Sequence, residues 1–166
     1  RSLLPALKKE GLIVVESHED MNKEQKAFAD QYFEETIYPV LTPMAMDSAR
    51  PFPLVRNKTL NIGALIAKKG KKEKEELEFA TVQVPSVLPR IVEIPCQKEG
   101  KKAIILLEEI IERNIGKLFL SNQVVCTCPY RIIRNADLTI DEDEAADLLS
   151  EIQKQIKKRQ WGEVIR

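Results

Sequence analysis

Two apolar runs, residues 60–67 (Leu-Asn-Ile-Gly-Ala-Leu-Ile-Ala) and residues 77–84, flank a connection of interleaved lysines and glutamates, and this arrangement constrains the chain most. Aliphatic runs of that length on either side of a polar stretch form an antiparallel pair with a solvated tip. A lone hairpin is at best marginally stable in water. The rest of the chain must therefore supply strands and helices that cover it.

Further strands are expected at residues 12–15, 91–94, 103–107 and 124–133, each a short apolar or β-rich run between turn signals. Residues 2–10 read as a helical stub ended by Gly11, and residues 22–38 as a helix with Phe28, Tyr32 or Phe33, and Ile37 at helical spacing, stopped by Pro39. A helix over residues 108–119 follows its strand directly. The clearest helix opens at Asp141, with Glu144 at capping-box spacing, an apolar face of Ala145, Leu148, Leu149, Ile152 and Ile156, and cations in its last turn. Pro39, Pro43, Pro51 and Pro53 make residues 39–53 an extended surface loop. The expected class is α+β (mixed α/β), a hairpin-rich mixed sheet packed by two or three helices in a single domain.

With 26 basic and 26 acidic residues the net charge is zero, so any anion site must be local. The lysines of the hairpin tip alternate with glutamates and lack stacking aromatics, which makes them a solvated loop rather than a nucleic-acid arm. Cys96, Cys126 and Cys128 include no C-x-x-C pair, so they are expected as buried thiols in a reducing compartment, not as zinc ligands. His18 is the only histidine and has no nucleophile or cation in local register; an exposed or capping role is expected. No glycine-rich phosphate loop, nucleophile elbow or metal cluster is present, and the paired carboxylates are explained by caps and solvation. What remains is arginine in fixed contexts: Arg50 and Arg56 near Pro51-Phe52-Pro53, Arg90 behind Pro89, and Arg131 and Arg134 around Ile132-Ile133. Guanidinium forks suit phosphate and carboxylate alike. On an ideal strand Arg131 and Arg134 face opposite sides, one toward a partner or anion and one toward an internal acid such as Asp137. Candidate phosphate-contacting or junction residues are therefore Arg90, Arg131 and Arg134, with no catalytic, cofactor-binding or metal residue assigned.

The order of motifs resembles the middle, or head, domain of the large, histidine-autophosphorylating polyphosphate kinases. The likeness begins at Tyr32-Phe33 and Pro39-Val40-Leu41-Thr42-Pro43, and continues through Pro51-Phe52-Pro53, Asn57, Leu60-Asn61, Val84-Pro85 and Leu88-Pro89-Arg90. It runs on through Leu106-Leu107-Glu108, Tyr130-Arg131, Arg134-Asn135-Ala136-Asp137-Leu138 and the acidic run Asp141-Glu142-Asp143-Glu144. Where the family usually has Phe-Arg-Ile-Thr-Arg, this chain has Tyr130-Arg131-Ile132-Ile133-Arg134 and loses a hydroxyl at Ile133.

The resemblance implies a parent enzyme that reversibly moves the terminal phosphate of ATP onto polyphosphate through a phosphohistidine, with magnesium. It implies that the reacting histidine and the ATP and metal sites lie in other domains, so that this fragment needs no cofactor, is inactive alone, and matches no catalytic histidine at His18. Residues 1–20 would connect from an N-terminal domain, 21–160 form the head domain, and 161–166 open the passage to the catalytic domains. The implied role is structural, with homodimer contacts, in a cytoplasmic enzyme that also associates peripherally with membranes. The alternatives are a module that grips polyphosphate directly, and an unrelated regulatory or nucleic-acid binding domain, which the even charge balance disfavours.

Overall fold

The computed structural model describes residues 3–45, 55–68, 77–134 and 166. Arg50, Pro51 and Pro53, the hairpin tip, Asp137, the acidic run and the last helix lie outside the described residues.

Helix α1 (Leu3–Lys9) ends at Gly11, whose φ of +89° is open to glycine at no steric cost, and strand β1 (Leu12–Val15) follows at once. The expected polar loop after β1 is a 3-10 turn, His18–Asp20, capped by the Ser17 hydroxyl, which accepts from Glu19 N at 3.2 Å. Helix α2 (Lys23–Tyr32) opens on a reciprocal cap: Gln25 N donates to Asn22 Oδ1 at 2.9 Å and Asn22 N donates to Gln25 Oε1 at 3.1 Å.

The α-helical part stops at Tyr32, short of the expected Tyr38. A π turn over Phe33–Ile37 and a 3-10 turn over Tyr38–Val40 continue the coil to Val40, with Pro39 inside the second turn rather than ending the coil. Phe33 and Ile37, four residues apart and both fully buried, stay on the core side through the wide turn, as Ala29 does one turn earlier.

The α+β class is as expected, but the described strands divide between two sheets rather than building one. In the first, β1 runs parallel to β6 (Lys102–Leu106), which pairs antiparallel with β5 (Ile91–Ile94), giving the order β1-β6-β5. The second sheet is antiparallel throughout: β2 (Pro43–Ala45), β4 (Leu77–Gln83), β3 (Leu60–Lys68) and β7 (Asn122–Arg131) lie side by side in that order. The expected hairpin is the β3–β4 pair, with Ala64 opposite Ala80. Between Leu65 and Ile66 the β3–β7 register slips, so that Leu65 faces Cys126 while Ile66 faces Val124, and Val125 is the extra residue of a bulge.

Helix α3 (Leu107–Asn114) leaves β6 without a linker and joins the two sheets. Leu107, Ile110 and Ile111, all fully buried, share one core with Ile105 of β6, Ile62 and Ile66 of β3, Val82 of β4, and Phe33 and Ile37. Burying side chains of this size contributes about 1.5–3 kcal/mol each. Polar ties secure the helix: Thr127 Oγ1 donates to Glu112 Oε2 at 2.8 Å from β7, and Arg113 forks onto Asp30 of α2. No described helix is long and apolar enough to cross a membrane.

Candidate functional site

The segment leading into β3 organises the three candidate arginines. Lys58 adopts a left-handed φ of +62°, and its N–H donates to the carbonyl of Ile132 at 2.9 Å, which pins the turn to the end of β7. Thr59 closes the turn, its hydroxyl donating to the carbonyl of Arg56 at 2.9 Å. The chain then enters β3 at Leu60, directly opposite Arg131.

Arg134 holds this turn from the other side. Its backbone N–H donates to Asn57 Oδ1 at 3.1 Å, while Nε and Nη2 both donate to the carbonyl of buried Val55, at 3.2 and 3.0 Å. A fork on one carbonyl oxygen is a structural tie that satisfies a buried acceptor. The strict alternation expected across Arg131 to Arg134 does not apply, because the β7 ladder ends at Arg131 and residues 132–133 are irregular. Ile133 instead exchanges two backbone hydrogen bonds with Arg166, at 2.7 and 3.2 Å.

Arg90 reaches the same region from the turn before β5. Its Nε lies 3.0 and 3.2 Å from the two carboxylate oxygens of Glu108, and Nη2 also donates to Oε1. The Glu108 side chain is only 6% exposed, whereas that of Arg90 is 53% exposed. Hydrogen bonding to Glu108 pushes the Arg90 pKa above its already high value, against the opposing effect of burial, so the guanidinium stays charged. Leu107 N donates to the carbonyl of Arg90 at 2.7 Å, so side chain and backbone both fasten the turn to the start of α3. A cleft of about 350 Å³ lies between this turn and the Lys58 turn, bordered by Asn57, Lys58, Ser86, Arg90 and Leu107.

The structure thus gathers Arg90, Arg131 and Arg134 around residues 55–60 and gives them different work. Arg90 and Arg134 are bonded to groups of the domain, and Arg131 is exposed on the strand end. Asn57 and Glu108 stood out in the sequence as motif residues, but their pairing with the arginines did not, nor did the Val55 carbonyl, since Arg90 and Glu108 stand 18 residues apart and Arg134 and Val55 79 apart. His18, expected as exposed or capping, is half-buried: its Nδ1 lies 3.2 Å from Glu109 Oε2, and its backbone N–H donates to the same oxygen at 2.9 Å.

The cysteines correct the reading of buried thiols. Cys126 and Cys128 do share one face of β7, but that face looks outward and both residues are exposed; Cys96 is half-buried. The side of β7 turned toward α3 carries Thr127 instead, as its bond to Glu112 requires. Cys126 and Cys128 border a shallow apolar groove of about 540 Å³ with Leu65, Phe79 and Tyr130. Among the described residues, no three groups of metal-ligating type converge.

The family model for the polyphosphate kinase middle domain matches residues 24–166. The polyphosphate kinase of Lactiplantibacillus plantarum is 47% identical over 166 residues, covering 100% of this chain and 22% of that protein. That of Halalkalibacterium halodurans is 44% identical over 165 residues, covering 99% of this chain and 23% of that protein. The crystal structure of polyphosphate kinase from Porphyromonas gingivalis matches with a TM-score of 0.72 and 24% identity, over 95% of this chain and 26% of that one, and so shares the fold. The chain spans about a fifth of the length of these curated relatives. By its sequence, this chain belongs to the polyphosphate kinase family and corresponds to its middle domain.

Proposed function

We propose that this chain is a structural module of an enzyme that reversibly transfers the terminal phosphate of ATP to polyphosphate, and that the reacting groups belong to other domains. The observation that carries this reading is the commitment of the histidine and of Arg90 to carboxylates of the domain itself. The one histidine is bonded to Glu109, and Arg90 is bonded to the buried carboxylate of Glu108. Phosphoryl transfer relies on cations and metal ions positioned around the moving group. Arginines already bonded within a domain serve its shape instead.

In this reading the parent enzyme supplies the phosphohistidine, magnesium and the ATP site, works in the cytoplasm, and dimerises through this domain. Incubation of the 166-residue chain with magnesium, polyphosphate and ATP labelled in its terminal phosphate should give no labelled polymer. Incorporation above a heat-killed control would overturn the structural role. Sedimentation should show a dimer, and a monomer at every concentration would remove the dimer contacts from the proposal.

A further inference from the structure

Three six-residue segments meet at the Arg131 end of the second sheet: residues 55–60, 85–90 and 129–134. Together they hold Arg56, Lys58, Arg90, Arg131 and Arg134, and no aspartate or glutamate. In a chain with equal numbers of acids and bases, that is a pronounced local imbalance. The segments are joined in space by the Lys58–Ile132 and Arg134–Val55 bonds and by the shared cleft between Lys58 and Arg90. Glu108 enters this corner, but it is buried against Arg90, so the pair adds no net charge.

Arg56, Lys58 and Arg131 are exposed, and among the described residues none of the three forms an ion pair. Their backbones are nevertheless fixed: Lys58 by its bond to Ile132, Arg56 by the Thr59 hydroxyl on its carbonyl, and Arg131 by pairing with Leu60. A fixed backbone spares an arriving anion the cost of ordering the turn, and leaves only the ordering of the side chains themselves. Tyr130 is the only aromatic in the three segments, and its hydroxyl and ring are engaged by Thr81 and Phe79. The corner therefore offers charge without a stacking platform, which suits a phosphate chain and not a nucleic acid.

We infer that Arg56, Lys58 and Arg131, with Arg134 as the residue that positions their turn, form a binding site for a linear chain of condensed phosphate. This deepens the polyphosphate kinase reading and rests on it for the choice of phosphate polymer. Arg90 belongs to the wall of the site through its bond to Glu108.

The test measures binding of long-chain polyphosphate to the 166-residue chain across a salt series. Affinity should fall steeply with salt, and Arg131→Ala or the pair Arg56→Ala and Lys58→Ala should weaken binding about tenfold, each lost cation reducing the salt slope by about 1. Lys98→Ala and Lys101→Ala, in a turn on the other sheet, should leave it unchanged. Equal losses in the control variants, equal binding of a single-stranded oligonucleotide, or no binding at low salt would overturn the inference. Binding that appears only when Asp141, Glu142, Asp143 and Glu144 are neutralised would also overturn it, by assigning the corner to the chain's own acids. The broader reading fails by a different measurement, if the full-length enzyme containing this chain forms no polymer from ATP.

Discussion

The hydroxyls of Thr81 and Tyr130 lie 2.7 Å apart across strand β3, on the outer face of the second sheet. They meet because the residue between them is Gly63, which pairs with Thr81 on one side and Cys128 on the other. With no side chain in the way, the rings of Phe79 and Tyr130 also come edge to face at 6.3 Å. A Cβ on Gly63 would stand 3.0 Å from Phe79 Cε2.

Gly63→Val should therefore lower stability by about 2 kcal/mol, because the added atoms have to push Phe79 off Tyr130. Gly63→Ala should cost much less, since the reduced freedom of the unfolded chain offsets part of the contact. Urea unfolding of the two variants checks the order; an equal loss in both would place the strain in the backbone rather than at the ring.

Tyr130→Phe leaves the fully buried Thr81 hydroxyl without its partner and should cost about 1–2 kcal/mol near neutral pH. The same tyrosine carries a pH signature. Burial raises its pKa above the ordinary value of 10.0, outweighing the opposing hydrogen bond from Thr81. The unfolded chain thus loses this proton first, and stability present in full below pH 10 declines as pH rises through the folded pKa. Melting temperatures between pH 9 and 11 should fall less steeply in Tyr130→Phe than in the parent chain.

Asp30 and Arg113 tie α2 to α3 through two parallel bonds of 2.8 Å. The hydrogen bond from Arg113 is the main cause holding the Asp30 carboxyl below its usual 3.8, against the opposing effect of burial. This contribution is present above pH 3.8 and is lost as pH falls through the lower folded pKa. Asp30→Asn should cost up to about 1 kcal/mol at pH 6 in low salt, a limit set by the partial exposure of the pair. At pH 2.5 the variant and parent should differ less, which denaturant midpoints at the two values would show.

Arg90→Ala removes the partner of a buried carboxylate. A loss of about 2 kcal/mol is expected at neutral pH. Changing Glu108→Leu in the same chain should recover most of it, because an apolar residue in that place leaves no charge unpaired. A double variant as unstable as Arg90→Ala would show that Glu108 does more than answer the arginine.

Much of the local structure was legible in short windows. The β3–β4 hairpin, the Gly11 stop, the turn before β5 and the strand–helix passage from β6 to α3 each depend on neighbours a few residues away. The early end of α2 was not legible, because Phe33 and Ile37 have the same spacing that a continuing α-helix would show, and periodicity does not distinguish the wider turn. Cys126 and Cys128 were correctly placed on one face, yet alternation along a strand cannot say which face meets α3.

Sequence alone determined the class of fold, most of the described strands and helices though not the short strand β2 in the proline-rich stretch, the family, and the arginines worth following, because periodicity, turn chemistry and motif order are written along the chain. Only the tertiary structure decided that the strands form two sheets around α3, that Arg90 answers Glu108, and that Arg134 clasps Val55. These depend on partners 18 and 79 residues away, and local sequence carries no record of which distant group will fill a buried hydrogen bond.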